Sequence, residues 1–464
     1  MPPSILYELY NLSLSEGTGI ATYARNTVST AVNLGYDVDG LFNSEVGLNR
    51  KDPLMAEVGF FDRRAQSRWP LVEAMETAYR FVVGAPEGLT MQRLAMTGVV
   101  LDLANPKGRF SDYRNVYVAR RFMALSRFHF KRYGRSVTLY PPTKPDIFHA
   151  TQPIPVRILG ARNIYTIHDL VPLRLPSMTL DDKKFFINMV RHLGATADHI
   201  VTVSEASRRD LIDIAGISED RITNTFQAVS IPPKLAAMPD DQVAATVRNA
   251  FNLDSGGYYL FFGAIEPKKN LSRVIDAHVG SGTPCPLIIA GGLGWDYDKD
   301  LEKLDAAKSP YFQMVEQKIV PCQKIRRVGR VSQAHLVALI RGARALIFPS
   351  LYEGFGLPVL EAMSLGTPVI TSNSSALAEV AGDAALTVNP LDVEEIALAI
   401  KALDADEALR LDLSLRGRQQ AKKFSPERYA ERLGRLYARL GARPPRVPLA
   451  AAVQNHEPAN VLPE

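Results

Sequence analysis

Two glutamates, Glu353 and Glu361, stand with seven residues between them in the run Ser-Leu-Tyr-Glu-Gly-Phe-Gly-Leu-Pro-Val-Leu-Glu, residues 350–361. A strand-like stretch, Ala345–Pro349, leads into this run, and a helix begins near Leu357-Pro358. Gly354 and Gly356 let backbone N–H groups approach a ligand closely. The helix start aims unpaired donors and a positive dipole end at the same point, which suits a phosphate. A tight strand-to-helix turn without a ligand would use the same glycines. The carboxylates favour the ligand. Glu353 sits where loop meets helix. Glu361 lies among Val359, Leu360, Ala362 and Met363, where a carboxylate without a partner is costly. Its partner is either a set of ribose hydroxyls or a nearby Arg or Lys.

Three further places carry comparable chemistry. Lys268 and Lys269 lie in a loop between the strand-like Tyr258–Ile265 and the helical Leu271–Val279. They either neutralise a diphosphate or form a solvated pair. His168 and Asp169 end the strand-like run Asn163–Ile167. Gly17 and Gly19 close the glycine turn Ser13–Gly19, between a strand at Ile5–Leu12 and a helix at Ile20–Leu34. Asp296, Asp298 and Asp300 have the look of a metal-binding carboxylate set but read as a solvated helix start.

The elements that position these loops follow an alternating strand–helix rhythm, the pattern of doubly wound α/β domains. A chain of 464 residues exceeds the roughly 250–300 that one core supports. Ile231-Pro232-Pro233 breaks the rhythm. The expected organisation is therefore a first Rossmann-like domain over 1–232 and a second over 233–441 that includes terminal helices. A tail over 442–464, rich in Pro and Ala, is expected to be disordered. Ligands in such sheets bind beyond the strand C-terminal ends, which places all the loops above on one shared cleft.

Residues 60–145 depart from the rhythm and read as a basic helical insertion. Between Lys107 and Lys144 ten basic residues face only Asp112, which implies an anionic partner. Within Val118–Arg135, the cations Arg120, Arg121, Lys131 and Arg132 interleave with aromatics as in a helix lying on an anionic membrane. The alternative is a helix packed on its own domain with its cations in water. Nucleic-acid binding has no accompanying motif.

From Gly329 to Pro390 the sequence resembles the retaining glycosyltransferases of family four, whose fold is GT-B, two facing Rossmann-like domains with a C-terminal helix returning toward the first. The family signature, a Glu followed by Gly-Phe-Gly and a second Glu, is matched by Glu353, Gly354, Phe355, Gly356 and Glu361. The resemblance implies that Glu353 contacts the donor sugar, that Glu361 holds the ribose, and that backbone near Leu357 meets the diphosphate. It also implies that Lys269, with Lys268 beside it, faces the leaving group. His168 would lie near the reacting carbon with Asp169 as its orienting partner, and Gly17 and Gly19 would lie against the diphosphate. Ala264 stands where many members have an Arg, so one phosphate contact is missing or supplied elsewhere. No metal or other cofactor is required on this reading.

The implied function is hexosyl transfer from a nucleotide sugar, with GDP-mannose favoured, to a saccharide or polyprenyl-diphosphate-linked acceptor in surface-polysaccharide assembly. A nucleotide-sugar epimerase, or a non-catalytic scaffold on the same fold, are the competing readings. No run reaches the roughly 18 apolar residues of a membrane span, and no basic leader precedes the first strand. The expected location is cytoplasmic, or peripheral on the inner face of the membrane. Cys285 and Cys322 lack disulfide or metal spacing.

Overall fold

A computed structural model describes residues 2–12, 19–44, 52–62, 88–100, 110–306, 310–315 and 318–444. Gly17 and most of the tail lie outside the described residues. Two sheets, each flanked by helices, organise the chain. The first has eight strands in the order Ile222–Asn224, His199–Thr202, Arg162–Thr166, Ile147–Ala150, Ser4–Glu8, Asp37–Ser44, Asn115–Arg120 and Gln92–Leu94. All neighbours pair in parallel except the last two. The second has six parallel strands in the order Ile325–Gly329, Leu287–Ala290, Tyr259–Phe262, Ala345–Phe348, Val369–Ser372 and Leu386–Val388. The four central strands of this sheet, 287–290, 259–262, 345–348 and 369–372, are buried along their whole length, as expected of parallel strands covered on both faces.

Helix ends obey local chemistry. Ser204 Oγ accepts from Ser207 N at 3.0 Å and begins the helix Glu205–Asp213. Ser425 caps the last helix, Pro426–Arg439, with a proline in its first turn. That helix returns to the first half and docks on Gly19–Asn33. Its buried face carries hydroxyls into the first half, to the sheet and to that helix. Tyr437 Oη lies 2.7 Å from His149 Nδ1 and 2.6 Å from Tyr7 Oη, and Tyr429 Oη lies 2.7 Å from Thr27 Oγ1.

The insertion differs from expectation. Asn115–Arg120 is a strand of the main sheet, beside Asp37–Ser44, and not part of a helix. Val116, Tyr117, Val118 and Ala119 are all buried there, and β-branched and aromatic residues suit that pleated surface. Arg114 fastens the strand's start, its Nη1 2.7 Å from Asp37 Oδ2 and its Nη2 2.7 Å from Asp39 Oδ2. Arg120 therefore ends a strand, and Arg121 has φ 51°, breaking the chain before the helix Phe122–Tyr133 begins. That helix buries Phe122, Leu125 and Phe130 in the first half's core. Lys131 pairs with Asp182 at 3.2 Å, so one of the expected membrane cations has a protein partner. Among the described residues, no helix is long and apolar enough to cross a membrane.

Candidate active site

The two loops of the second half are stitched together before any ligand arrives. Asn270, at φ 64° between the turn Pro267–Lys269 and the helix Leu271–Ser281, donates from Nδ2 to Pro349 O at 2.9 Å and Pro390 O at 2.6 Å. The Lys268 carbonyl accepts from Leu351 N at 2.8 Å. This places Lys269 Nζ 2.5 Å from Glu353 Oε1 and 5.0 Å above the Phe348 ring, with Lys268 Nζ 4.0 Å from Glu353 Oε2. Ser350 Oγ adds a 2.7 Å contact to Oε1. Burial alone would raise the Glu353 carboxyl, but the two lysines outweigh it and hold the group below its ordinary range. Burial likewise works against the Lys268 charge. Glu353 and then Asp169 reverse that and hold the ammonium above its ordinary value. Lys268 and Lys269 thus meet Glu353 at the cleft, with Asp169 also acting on Lys268.

Helix geometry shapes the loop that follows Glu353. Gly356 has φ +111°, a conformation that L side chains rarely adopt, and a Cβ there would lie 2.6 Å from Leu377 Cδ2. The helix Leu357–Leu365 starts directly after it. Phe355 turns the other way. Its ring is 4% exposed and meets Phe424 edge-on at 5.7 Å, so only its backbone is available to a donor. Glu361 is raised to about 7 by burial and makes no ion pair among the described residues. The alternative of a nearby Arg or Lys partner is not realised there.

The first half meets these loops across the cleft. A Cβ on Gly354 would stand 2.7 Å from Asp169 Oδ2 and 2.9 Å from His168 O, and one on Gly19 would stand 3.9 Å from Leu357 Cδ1. Hence His168, Asp169, Gly19, Glu353, Gly354 and Leu357 are brought to one place. His168 Nε2 lies 2.9 Å from Thr151 O. A carbonyl only accepts, so Nε2 carries the hydrogen and Nδ1 keeps its lone pair. Tyr23 stands edge-on to the ring at 4.8 Å. Burial lowers the imidazole pKa despite opposing help from Thr151 and Asp169, which keeps the ring neutral near neutral pH. Asp169 Oδ1 accepts from Val171 N at 3.0 Å, which holds the strand end in place.

Asp300 departs from the expected solvated helix start. It is 6% exposed and receives Ser272 Oγ at 2.5 Å. Other buried polar groups carry no sequence motif. Glu8, fully buried at the end of the first strand, is raised to about 7 by burial, and its Oε2 has no partner among the described residues. A lone carboxylate inside the apolar run Ile5–Leu12 was the available signal. Tyr352 and Asp210 join across the cleft through the Tyr352 hydroxyl and Asp210 Oδ2, 142 positions apart, with no local signal.

The Glycosyltransferase Family 4 profile matches residues 90–224, and the Glycosyl transferases group 1 profile matches residues 246–420. O-antigen chain mannosyltransferase B of Escherichia coli is 34% identical over 274 residues, 57% of this chain and 67% of that protein. Serotype-specific mannosyltransferase WbdA of Escherichia coli is 28% identical over 278 residues, 59% of this chain, and the match spans only 33% of that protein's length. The fold superposes on sucrose-phosphate synthase from Thermosynechococcus elongatus with a TM-score of 0.62 at 16% identity, covering 95% of this chain and 99% of that one. With the signature glutamates, the lysine pair and the His-Asp strand end gathered on one cleft between two Rossmann-like halves, the chain belongs to the group 1, family four glycosyltransferases of GT-B fold.

Proposed function

We propose that this glycosyltransferase moves a mannosyl residue, with retention of anomeric configuration, from GDP-mannose to a saccharide or lipid-linked saccharide acceptor in surface-polysaccharide assembly. The observation that carries the reading is the Lys268–Lys269–Glu353 cluster, a lysine pair gathered on one carboxylate beside a helix N-terminus. The mannosyltransferase names of the Escherichia coli relatives supply the sugar.

In this mechanism the departing nucleoside diphosphate leaves an oxocarbenium-like centre. Lys269, Lys268 and backbone donors near Gly356 meet the charge that develops on the phosphate. Glu353 holds the sugar, Glu361 accepts from the ribose hydroxyls, and His168 lies on the opposite wall. The acceptor hydroxyl attacks from the leaving-group face, and its proton passes to the departing phosphate oxygen. Because ammonium groups supply the charge, transfer is expected to continue in chelator.

Thermal-shift screening against GDP, UDP, ADP and their sugars tests the donor, since a bound nucleotide stabilises by mass action. GDP and GDP-mannose are expected to shift the melting point. A shift by another nucleotide alone would overturn the donor, and a product of inverted anomeric configuration would overturn the mechanism. For the membrane, the reading narrows to the exposed stripe Phe128, Lys131, Arg132, Tyr133 and Arg135, with peripheral contact to anionic lipid.

A further inference from the structure

Asp210 contacts both halves of the cleft at once. It is 2% exposed on the helix Glu205–Asp213. Its Oδ1 accepts from Arg174 Nε at 3.0 Å and Nη2 at 2.5 Å, and its Oδ2 receives the Tyr352 hydroxyl. Arg174 ends the one-turn helix Val171–Arg174, whose first N–H is held by Asp169. Tyr352 immediately precedes Glu353. One buried carboxylate thus links the strand end that carries His168 and Asp169 to the loop that carries Glu353.

The protonation states suit the link. Hydrogen bonding to Asp210 holds the Arg174 guanidinium above its ordinary pKa. Burial, followed by the Asp210 bond, raises Tyr352, so the phenol stays a donor. The same helix is gripped twice more from the second half. Glu379 accepts from Glu205 N at 2.9 Å and from Ala206 N at 3.3 Å, completing the helix's unpaired N-terminal donors. Ser207 Oγ lies 3.4 Å from Gly354 O.

The loop around Tyr352 is already anchored within its own half by Leu351 N to Lys268 O. Losing the Tyr352 hydroxyl therefore leaves the loop folded and removes one of the bonds that set its register against the other wall. We infer that Asp210 and Tyr352 are positioning residues for glycosyl transfer, setting Glu353 against His168 so that both address one donor sugar. The inference rests on the glycosyltransferase reading of the site given above. A displacement of about 1 Å at a reacting centre costs about 100-fold in rate, whereas nucleotide contacts within the second half do not depend on the link.

Tyr352→Phe, Asp210→Asn and the double variant test this, with kcat and donor KM from transfer assays, GDP Kd by calorimetry, and the melting temperature as a fold check. Each single variant is expected to lose about 10–100-fold in kcat with GDP Kd unchanged within about twofold. The double variant should be no worse than Asp210→Asn, as for residues on one path. Wild-type kcat in Tyr352→Phe at saturating substrates would overturn the inference, as would a rise in GDP Kd that matches the loss in kcat. Failure of the wild-type protein to bind either GDP or UDP would instead overturn the donor reading on which the inference stands.

Discussion

Glu361 offers a test in which stability and function move in opposite directions. Burial raises its carboxyl from 4.5 to about 7, and no ion pair among the described residues offsets the cost of ionising it. Between those two values the native state holds a proton that the unfolded chain releases. The contribution of Glu361 to stability is therefore most favourable at low pH, falls as pH rises past 4.5, and levels off above about 7. At about 1.36 kcal/mol per pKa unit the penalty is capped near ~3 kcal/mol, and because part of the side chain reaches solvent the expected value is about 1–3 kcal/mol.

Glu361→Gln keeps the shape and removes the charge. The variant should be more stable than the parent by about 1–3 kcal/mol near pH 8 and by about 1 kcal/mol or less near pH 5. Urea denaturation at the two pH values reads the difference as a shift in midpoint with an unchanged slope. Donor binding should move the other way. Hydrogen bonds from ribose hydroxyls to a charged acceptor contribute about 1.5–3 kcal/mol, so GDP should bind about 10–100-fold more weakly by calorimetry. A stability gap that fails to widen with pH would refute the burial argument. Undiminished nucleotide affinity would refute the role of Glu361 as the ribose partner. Both results together would mean that the carboxylate is satisfied by something other than a ligand.

Gly354→Ala forces a Cβ to within 2.7 Å of Asp169 Oδ2. Transfer should fall by at least about 10-fold, while GDP binding, measured by thermal shift, is largely retained. Lys269→Met strips the nearer cation from buried Glu353 and should cost about 3 kcal/mol in denaturant unfolding, with transfer activity falling below detection. Burial holds His149 at about 3 instead of 6.5. The unfolded chain therefore takes up a proton that the native state refuses, and stability present above 6.5 is lost as pH falls toward about 3. His149→Asn should flatten that acid slope in melting experiments. Lys131→Glu, Arg132→Glu and Arg135→Glu combined should abolish salt-sensitive binding to anionic vesicles in a flotation assay, with transfer to a soluble acceptor intact. Unchanged flotation would remove the membrane role.

What the sequence made legible was local. The switch from an apolar four-residue run to helical spacing marks Ala345–Phe348 and Leu357–Leu365. Ser204 and Ser425 announce helix starts because a side-chain cap acts within three residues. The family signature stands out in the sequence for the same reason, since its parts are contiguous. The failures were of long range. Val116–Ala119 has the same apolar character on a helix as in a sheet, and its place beside Asp37–Ser44 depends on Arg114 reaching Asp37 and Asp39 across more than 70 positions. Asp210 and Tyr352 each look like ordinary polar residues until the fold brings them together. The exposed pairing of Lys131 with Asp182, 51 positions away, likewise had no local signal.

The Phe of the signature shows how a local motif can carry a non-local task. Glu353, Gly354 and Gly356 serve the cleft directly, through charge, close approach and a left-handed turn. Phe355 buries its ring against Phe424, and Phe424 meets Phe226 at 5.3 Å. Phe226 and Phe424 lie at the two places where the chain passes between the halves, just after the last strand of the first sheet and just before the returning helix. Phe226 holds φ 59°, a costly conformation for a bulky residue, and Arg432 lies 4.7 Å over its ring. The signature loop is therefore packed on Phe424, and through it on Phe226, as well as being hydrogen-bonded to the opposite wall. A side chain that never meets the donor can thus be required by the motif. The backbone proposed to meet the diphosphate is placed by the same contacts that set how the two halves meet.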